Sequence, residues 1–241
     1  MFSYLWHTFF SDPVYNGLIF FIGLVPGGDV GIAIILTTIV IKLILFPLSI
    51  KAAKTQKVMR EIEPKLREIK EKFKEKREEQ AQAMLKVYQE AGMNPFSAIF
   101  VIILQIPLVI ALYLAVSGSG TPLPEIASER LYSFVTAPDV VTMQFLGLVD
   151  MAGRSVLLAV LAGGSMFIQM RFVMTALPPS DPTATPNLQE ELKRNIQLYM
   201  RYLLPIVVTV VAYSISAAIA LYFVVSNVVA IVQEFYVRRH R

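Results

Sequence analysis

The stretch LLPIVVTVVAYSISAAIALYFVVSNVVAIV, Leu203 to Val232, contains 30 consecutive uncharged residues. One transmembrane helix needs about 20 apolar residues, so this stretch is too long for one ordinary span and short for two. Arg201 precedes it and a basic tail from Arg238 follows it. Basic residues are retained on the cytoplasmic side, and only a hairpin puts both flanks there. We therefore predict two short spans that turn near Ser214 to Ser216, with a single tilted helix as the alternative.

Three more apolar stretches have transmembrane length. They are Val30 to Ile50, Pro95 to Val116 and Val156 to Leu177, in a chain of 241 residues of which 55% are hydrophobic and 17% charged. This composition predicts an all-α polytopic membrane protein with five transmembrane helices. We place the first span at 30–50, a connecting segment at 51–93, and the other four spans with their loops and a short basic tail at 94–241.

Basic residues are distributed unevenly among the loops. Of the 22 Lys and Arg residues, 19 lie in residues 51–92, in residues 171–201 and in the tail from residue 238, whereas residues 117–155 hold only Arg130 and Arg154. The positive-inside rule then predicts an N-terminus outside the cell and a C-terminus in the cytoplasm. Because the net charge of +4 is concentrated beside apolar runs, it indicates membrane topology and not direct DNA binding.

The N-terminal segment, 1–29, is apolar and aromatic, but Asp12-Pro13 interrupts it. Its longer apolar run, Val14 to Pro26, is too short to cross a bilayer core of about 30 Å. We predict an amphipathic interfacial helix on the outer surface. The side chains suited to headgroup depth are Tyr4, Trp6, His7 and Tyr15.

The charged segment 51–93 carries two helical stripes of apolar residues. The first stripe consists of Val58, Ile62, Leu66, Ile69 and Phe73, and the second of Ala81, Met84 or Leu85, Tyr88 and Ala91. Both ends of the segment must return to one membrane surface, so we predict a cytoplasmic helical hairpin that turns within 74–79. Pro64 is expected to kink or reset its first helix. A connector that merely joins the spans is the alternative to a docking role.

Lys42 is the one basic residue deep inside a predicted span. It lies about 18 Å of helix beyond Val30. A lysine at the bilayer centre costs roughly 2.5 to 3.5 kcal/mol unless it faces water or a partner. Since the core of each predicted span lacks Asp and Glu, we favour a water-accessible cavity between the helices over an ion pair. Snorkelling of the lysine toward the cytoplasm is the other interpretation that stays open.

Further polar side chains at membrane depth are candidates for lining that cavity. They are Thr38, Gln105, Gln169, Thr209, Ser226 and Asn227. Each one taken singly is typical of a hydrogen bond that packs two helices together. With Lys42 they form the candidate site.

No catalytic residue, metal site or cofactor is predicted. The chain has no Cys, and its two histidines, His7 and His240, are too far apart for ligand spacing. It also lacks a Walker motif and a nucleophile elbow. From the residues alone, the chain is a polytopic membrane protein with a polar cavity, and a small-solute transporter or channel and a membrane-anchored scaffold stay open as its function. A transporter would favour inverted repeats and acidic residues at the midplane, which are not seen.

Four local patterns, in order along the chain, resemble the YidC, Oxa and Alb insertases of bacteria, mitochondria and chloroplasts. The first is IKLILFPLS at 41–49 with QKVM at 56–59 and EPKL at 63–66; the second is LKVYQEAGMNP at 85–95 with LQIP at 104–107 and IALY at 110–113; the third is MFIQ at 166–169; the fourth is LYFVVSN at 221–227. The family's groove carries a positive charge on the first helix, usually Arg, and Lys42 occupies that position here. Phe223 stands where the family often has Trp.

The resemblance implies a five-helix core around a hydrophilic groove that is open to the cytoplasm and to lipid and closed on the outer side. It implies a multi-pass protein of the bacterial cytoplasmic membrane, in a short form without the large outer domain of some relatives. The implied function is that of an insertase and chaperone, not an enzyme. In the implied mechanism, the insertase moves hydrophilic segments of nascent membrane proteins through the groove and releases their apolar segments into the lipid bilayer. The Sec translocon and the ribosome are further implied partners.

Overall fold

The computed structural model describes residues 2–73, 76–92, 96–117, 122–173 and 195–239 of the chain. These residues form two compact units, one made of Met1–Leu43 with Pro107–His240 and the other of Ile44–Ile106. The chain is mostly helical and several of its helices are apolar, so the prediction of an all-α membrane protein is confirmed at this level.

Helices account for most of the described residues. They are α1 (Phe2–Trp6), α2 (Asp12–Leu24), α3 (Val30–Ile44), α4 (Phe46–Lys72), α5 (Arg77–Glu90), α6 (Phe96–Ser117), α7 (Val156–Val173), α8 (Leu204–Ile215) and α9 (Ala217–Arg239). π-Helical turns, His7–Ser11 and Tyr199–Leu203, lead into α2 and α8. Two short strands, β1 (Gln144–Phe145) and β2 (Val149–Asp150), pair antiparallel in the loop before α7. The part of the predicted third span beyond Val173 lies outside the described residues.

Two helical stretches within the described residues are long and apolar enough to cross a membrane. They are Asn195–Ile215 and Ala217–Val237, each of 21 residues or about 32 Å. Shorter apolar helical stretches cover Val30–Ile44, Gln105–Ser117 and Val156–Phe172. Length and composition are thus compatible with membrane helices in the predicted order.

The long uncharged stretch breaks where the sequence predicts. Ser216 is extended, with φ −165° and ψ 162°, and it separates α8 from α9. The first amides of α9 are satisfied by the loop before α7, because Ala217 N–H donates to the Gly153 carbonyl (2.7 Å) and Ala218 N–H to the Met151 carbonyl (3.0 Å). The alternative of a single continuous helix is therefore wrong.

The first predicted span, 30–50, is not one helix. α3 ends at Ile44 and α4 begins at Phe46, with Leu45 at φ −82° and ψ −4° between them. Pro47 lies in the first turn of α4, where the missing N–H of proline costs no hydrogen bond, whereas inside a helix it would remove one. α4 then runs through Pro64 to Lys72, so Pro64 does not end the helix.

In the second unit, α4 and α5 contact each other. Ile62 and Leu66 of the first stripe are buried, and Val58, Ile69 and Phe73 are half-buried. Of the two alternatives for the second stripe on α5, Met84 is half-buried and Leu85 is exposed, so Met84 belongs to the stripe. Tyr88 and Ala91 of that stripe are also half-buried.

The N-terminal segment is bound to the loop that follows α6. Arg130 forms an ion pair with Asp12 (2.9 Å) and lies over the Tyr15 ring, 4.6 Å from its centroid. The Asn16 amide donates to the Arg130 carbonyl (2.9 Å) and its oxygen accepts from Tyr132 N–H (2.6 Å). These contacts join α2 to residues 127–132, which the sequence separates by more than a hundred positions.

Tyr15, one of the four side chains predicted to suit headgroup depth, is buried within the protein. Its hydroxyl accepts a hydrogen bond from Ala127 N–H (2.8 Å). Burial raises the pKa of Tyr15, so the phenol stays protonated at neutral pH. Arg130 and the loop cover the ring, so protein surrounds it.

Tyr15→Phe is expected to destabilise the protein by about 1 to 3 kcal/mol, because it keeps the ring but leaves the buried Ala127 N–H without its acceptor. The measurement is the thermal unfolding midpoint of the purified protein in detergent. Tyr4→Phe is the matched control, since Tyr4 is exposed and its hydroxyl loss should change stability by less than about 0.5 kcal/mol. Equal midpoints for both variants would show that the Ala127 bond contributes nothing.

The β1–β2 hairpin is fixed on the first turn of α3. Asp29 caps that helix, with one carboxylate oxygen accepting from Ile32 N–H (3.0 Å) and the other from Leu146 N–H (2.7 Å). Phe145 packs so closely on Gly31 that a Cβ there would overlap the ring. Leu148 N–H closes the turn onto the Phe145 carbonyl (2.9 Å).

Candidate functional site

Two residues of the candidate site lie one turn apart on α3. Thr38 is buried, and its hydroxyl donates to the Ile34 carbonyl of its own helix (2.6 Å). Lys42 is half-buried, and its backbone carbonyl accepts a hydrogen bond from the Gln233 side chain of α9 (3.1 Å). Residues four apart share a helix face, so Thr38 and Lys42 point to the same side of α3.

Gln233 is a site residue that the sequence interpretation missed. It is half-buried and connects the end of α9 to the backbone of Lys42. Glu234, also half-buried, comes directly after it. The signal in the sequence was the position of Gln233, which is the first residue after the uncharged apolar run that ends at Val232.

Asn227 joins α9 to α7. Its amide donates to the Ala162 carbonyl (3.3 Å) and to the Ser165 hydroxyl (3.0 Å), and the residue is buried. Ser226 beside it is buried as well. These contacts are those expected of a polar residue that packs transmembrane helices.

Thr209 of α8 meets the same part of α7. Its hydroxyl donates to the Pro205 carbonyl (2.9 Å), and a Cβ on Gly163 would overlap that hydroxyl and lie 2.8 Å from the Pro205 carbonyl. Glycine lets the two helix backbones approach closely. Small residues of α7 therefore form both contacts, Gly163 with α8 and Ala162 and Ser165 with α9, a role that the sequence interpretation did not assign to them.

The two remaining candidates are half-buried glutamines. Gln169 lies on α7, one turn beyond Ser165 and on the same face. Gln105 belongs to the second unit. The first unit thus holds all the other candidates, on α3, α7, α8 and α9.

α9 is the element that connects these contacts. Asn227 and Gln233 are six residues apart, or about 9 Å along the helix, and they contact α7 and α3 respectively. Chemically, the arrangement offers hydroxyl and amide groups and the Lys42 ammonium.

Outward-facing side chains of the same helices are apolar. Exposed residues are Val156, Leu157, Val160, Leu161 and Ile168 on α7; Ile206, Val207, Val210 and Val211 on α8; and Val228, Val232 and Phe235 on α9. A large exposed apolar surface marks contact with a membrane or a partner. Polar residues between the helices and apolar residues outside define the class of this chain, an α-helical integral membrane protein.

Comparisons with known proteins identify the family within this class of membrane proteins. The model of the family described as 60Kd inner membrane protein matches residues 21–241. A protein of Oceanobacillus iheyensis named membrane protein insertase YidC is 30% identical over 240 residues, which are 98% of this chain and 84% of that relative. The chain belongs to this inner membrane protein family, as the sequence resemblance predicted, and is therefore a protein of the bacterial inner membrane.

Longer relatives carry the same name. Those of Pelobacter propionicus and Syntrophobacter fumaroxidans are 30% and 32% identical to this chain. The chain spans 39% of the length of each of them.

Proposed function

We propose that this chain is a membrane protein insertase that uses the polar interior of its first unit to pass hydrophilic segments of nascent membrane proteins across the bilayer. The observation that carries the proposal is the position of Lys42, half-buried on α3 beside the α9 contact made by Gln233. The names of the relatives support it over nearly the whole chain. The activity is not enzymatic, because no bond of the client is made or broken.

The mechanism is a reduction of the desolvation cost of the client. A charged residue at the bilayer centre costs roughly 2.5 to 3.5 kcal/mol when it is surrounded by lipid. Hydroxyl, amide and ammonium groups along the path replace part of the lost water, and Lys42 attracts acidic residues in the moving segment. At 4 Å and an effective dielectric constant near 20, such a pair is worth about 4 kcal/mol.

Release of apolar segments follows from the outer surface of the same helices. The exposed apolar side chains of α7, α8 and α9 face lipid in this proposal. A client helix that leaves the polar interior gains about 25 cal/mol for each Å² of apolar surface it removes from water. No nucleotide is needed to drive this step.

The candidate residues divide into two groups in this mechanism. Lys42, Gln169 and Ser226 provide the polar path of the first unit. Thr38, Thr209 and Asn227 determine its shape, because their polar groups are engaged with Ile34, Pro205 and α7. Gln105, in the second unit, stays a sequence-based member of the path.

We also propose the predicted topology of five spans with the N-terminus outside and the C-terminus in the cytoplasm. Hydrogen bonds support it, because the loop before α7 binds both the start of α3, through Asp29 and Leu146, and the start of α9, through Gly153 and Ala217. The three segments then lie on the outer side together. α4 and α5 lie in the cytoplasm in this topology, where the Sec translocon and the ribosome are proposed partners on the family resemblance alone.

Photocrosslinking of nascent chains tests the insertase proposal. A photoreactive phenylalanine at Lys42 or Gln169, and in a separate variant at Gln105, is expected to crosslink to a stalled nascent membrane protein. Leu157 provides the matched control, because it is exposed on α7 about 18 Å before Gln169. Crosslinks to the client that are as strong at Leu157 as at Lys42 and Gln169 would contradict a polar path.

A further inference from the structure

The tip of the β1–β2 hairpin carries exposed leucines. Leu146 is 61% exposed and Leu148 is 81% exposed, in the turn that connects the two strands. Val140, which is also exposed, precedes the hairpin, and its carbonyl packs against Gly28 just before α3. These three apolar side chains are exposed and belong to the segment that binds the start of α3, so they have no role in the core of the protein.

The turn itself does not explain the leucines. Both of its central residues have positive φ, 53° at Leu146 and 70° at Gly147. This backbone is typical of a type I′ turn, in which Asn-Gly is favoured and a leucine in the first central position is strained. A residue held in a strained conformation motivates the hypothesis that it has a function there.

The hairpin has a defined depth because it is bound to α3. Leu146 N–H donates to Asp29, Val30 N–H donates to the Thr142 carbonyl (3.0 Å), and Phe145 packs on Gly31. Asp29 is charged, whereas α3 is uncharged and mostly apolar from Val30 to Ile41. In the proposed topology the boundary between water and hydrocarbon then lies at the first turn of α3, and the hairpin tip lies at the same level.

We propose that Leu146 and Leu148 are a lipid anchor that inserts into the outer leaflet at the headgroup and acyl-chain boundary. The occupant of this apolar surface is lipid, because the surface is continuous with the start of a helix that enters the membrane. The anchor holds α3 at a constant depth, and so holds Lys42, about 20 Å further along that helix. The inference rests on α3 entering the membrane from the outer side, as in the proposed function, and not on the passage of clients.

The absence of cysteine makes a direct test simple. Leu148→Cys, labelled with an environment-sensitive NBD fluorophore, is placed in liposomes of phosphatidylethanolamine and phosphatidylglycerol that carry nitroxide groups on the acyl chains. Glu125→Cys is the matched control, because Glu125 is exposed in the same loop and polar. Quenching at residue 148 is expected to exceed that at residue 125 by at least about twofold, since an interfacial apolar side chain reaches about 5 to 10 Å into the membrane surface.

Two results would overturn the lipid anchor. Equal quenching at residues 148 and 125 would place the tip in water. Fluorescence typical of an apolar environment, with protection from both the nitroxide lipid and aqueous iodide, would show that protein covers the tip. Either result leaves the crosslinking of clients unaffected, so a failure of the anchor is distinguishable from a failure of the insertase proposal.

A double variant separates the anchor from the turn. Leu146→Asn with Leu148→Asn keeps residues that favour the turn and removes the apolar side chains. With NBD on Gln144→Cys, an exposed position in β1, the double variant is expected to lose most of the lipid quenching seen in the otherwise unchanged chain. Quenching that persists undiminished would contradict the anchor.

Discussion

Lys42→Ala is expected to block insertion of clients whose translocated segment is acidic, whereas Lys42→Arg is expected to retain it. The alanine removes the positive charge that lowers the cost of moving a carboxylate through the membrane. The loss of an interaction worth even about 1.4 kcal/mol reduces a rate tenfold, so we expect at least about a tenfold reduction. The measurement is the insertion of a radiolabelled client into liposomes, detected by protease protection.

The backbone contact of Lys42 is independent of its side chain. Gln233 donates to the Lys42 carbonyl, which alanine also has, so Lys42→Ala keeps that contact between α9 and α3. A client whose translocated segment is polar but uncharged serves as the control and should insert almost as before. Unimpaired insertion of the acidic client by the alanine variant would refute the role of the charge.

Gly163→Leu is the second substitution with a large expected effect. Even a Cβ at this position overlaps the Thr209 hydroxyl and lies 2.8 Å from the Pro205 carbonyl, which is backbone and cannot move freely. Overpacking typically costs about 1 to 3 kcal/mol, and leucine adds three more carbons than alanine does. We expect the contact between α7 and α8 to open, with a thermal unfolding midpoint several degrees lower in detergent.

Gly164 is the matched control for this experiment. It neighbours Gly163 on α7, but a Cβ there would meet no atom within 4 Å. Gly164→Ala should be neutral or stabilise the helix by up to about 1 kcal/mol, and Gly163→Ala should still destabilise it. Equal midpoints for these two alanine variants would show that α7 and α8 do not depend on the close approach at Gly163.

Elements defined by the local sequence were predictable. The helix break at Ser216 followed from the length of the uncharged stretch and from the arginines on both of its sides. The membrane class followed from apolar stretches such as Val156 to Leu177. The family followed from ordered patterns, of which IKLILFPLS at 41–49 contains the charged residue of the candidate site.

Contacts between distant residues were not predictable in the same way. Tyr15 is an aromatic residue of the type that is common at membrane interfaces, yet Ala127 and Arg130 cover it. The break at Leu45 depends on how α3 and α4 end and begin, because Pro47 is compatible with the first turn of a new helix as well as with a kink. Single-sequence patterns do not distinguish these outcomes.

The sequence by itself indicated that this chain lies in a membrane, that its uncharged stretch breaks near Ser216 and that Lys42 is a charge within an apolar stretch, because hydropathy and charge act locally along the chain. Only the tertiary structure decided which polar groups face one another. It assigned Asn227 and Thr209 to the small residues of α7, and Gln233 to the carbonyl of Lys42. In the uncharged stretch from Leu203 to Val232, length and flanking charge predict two helices, but the neighbours of each side chain depend on how closely the backbones approach.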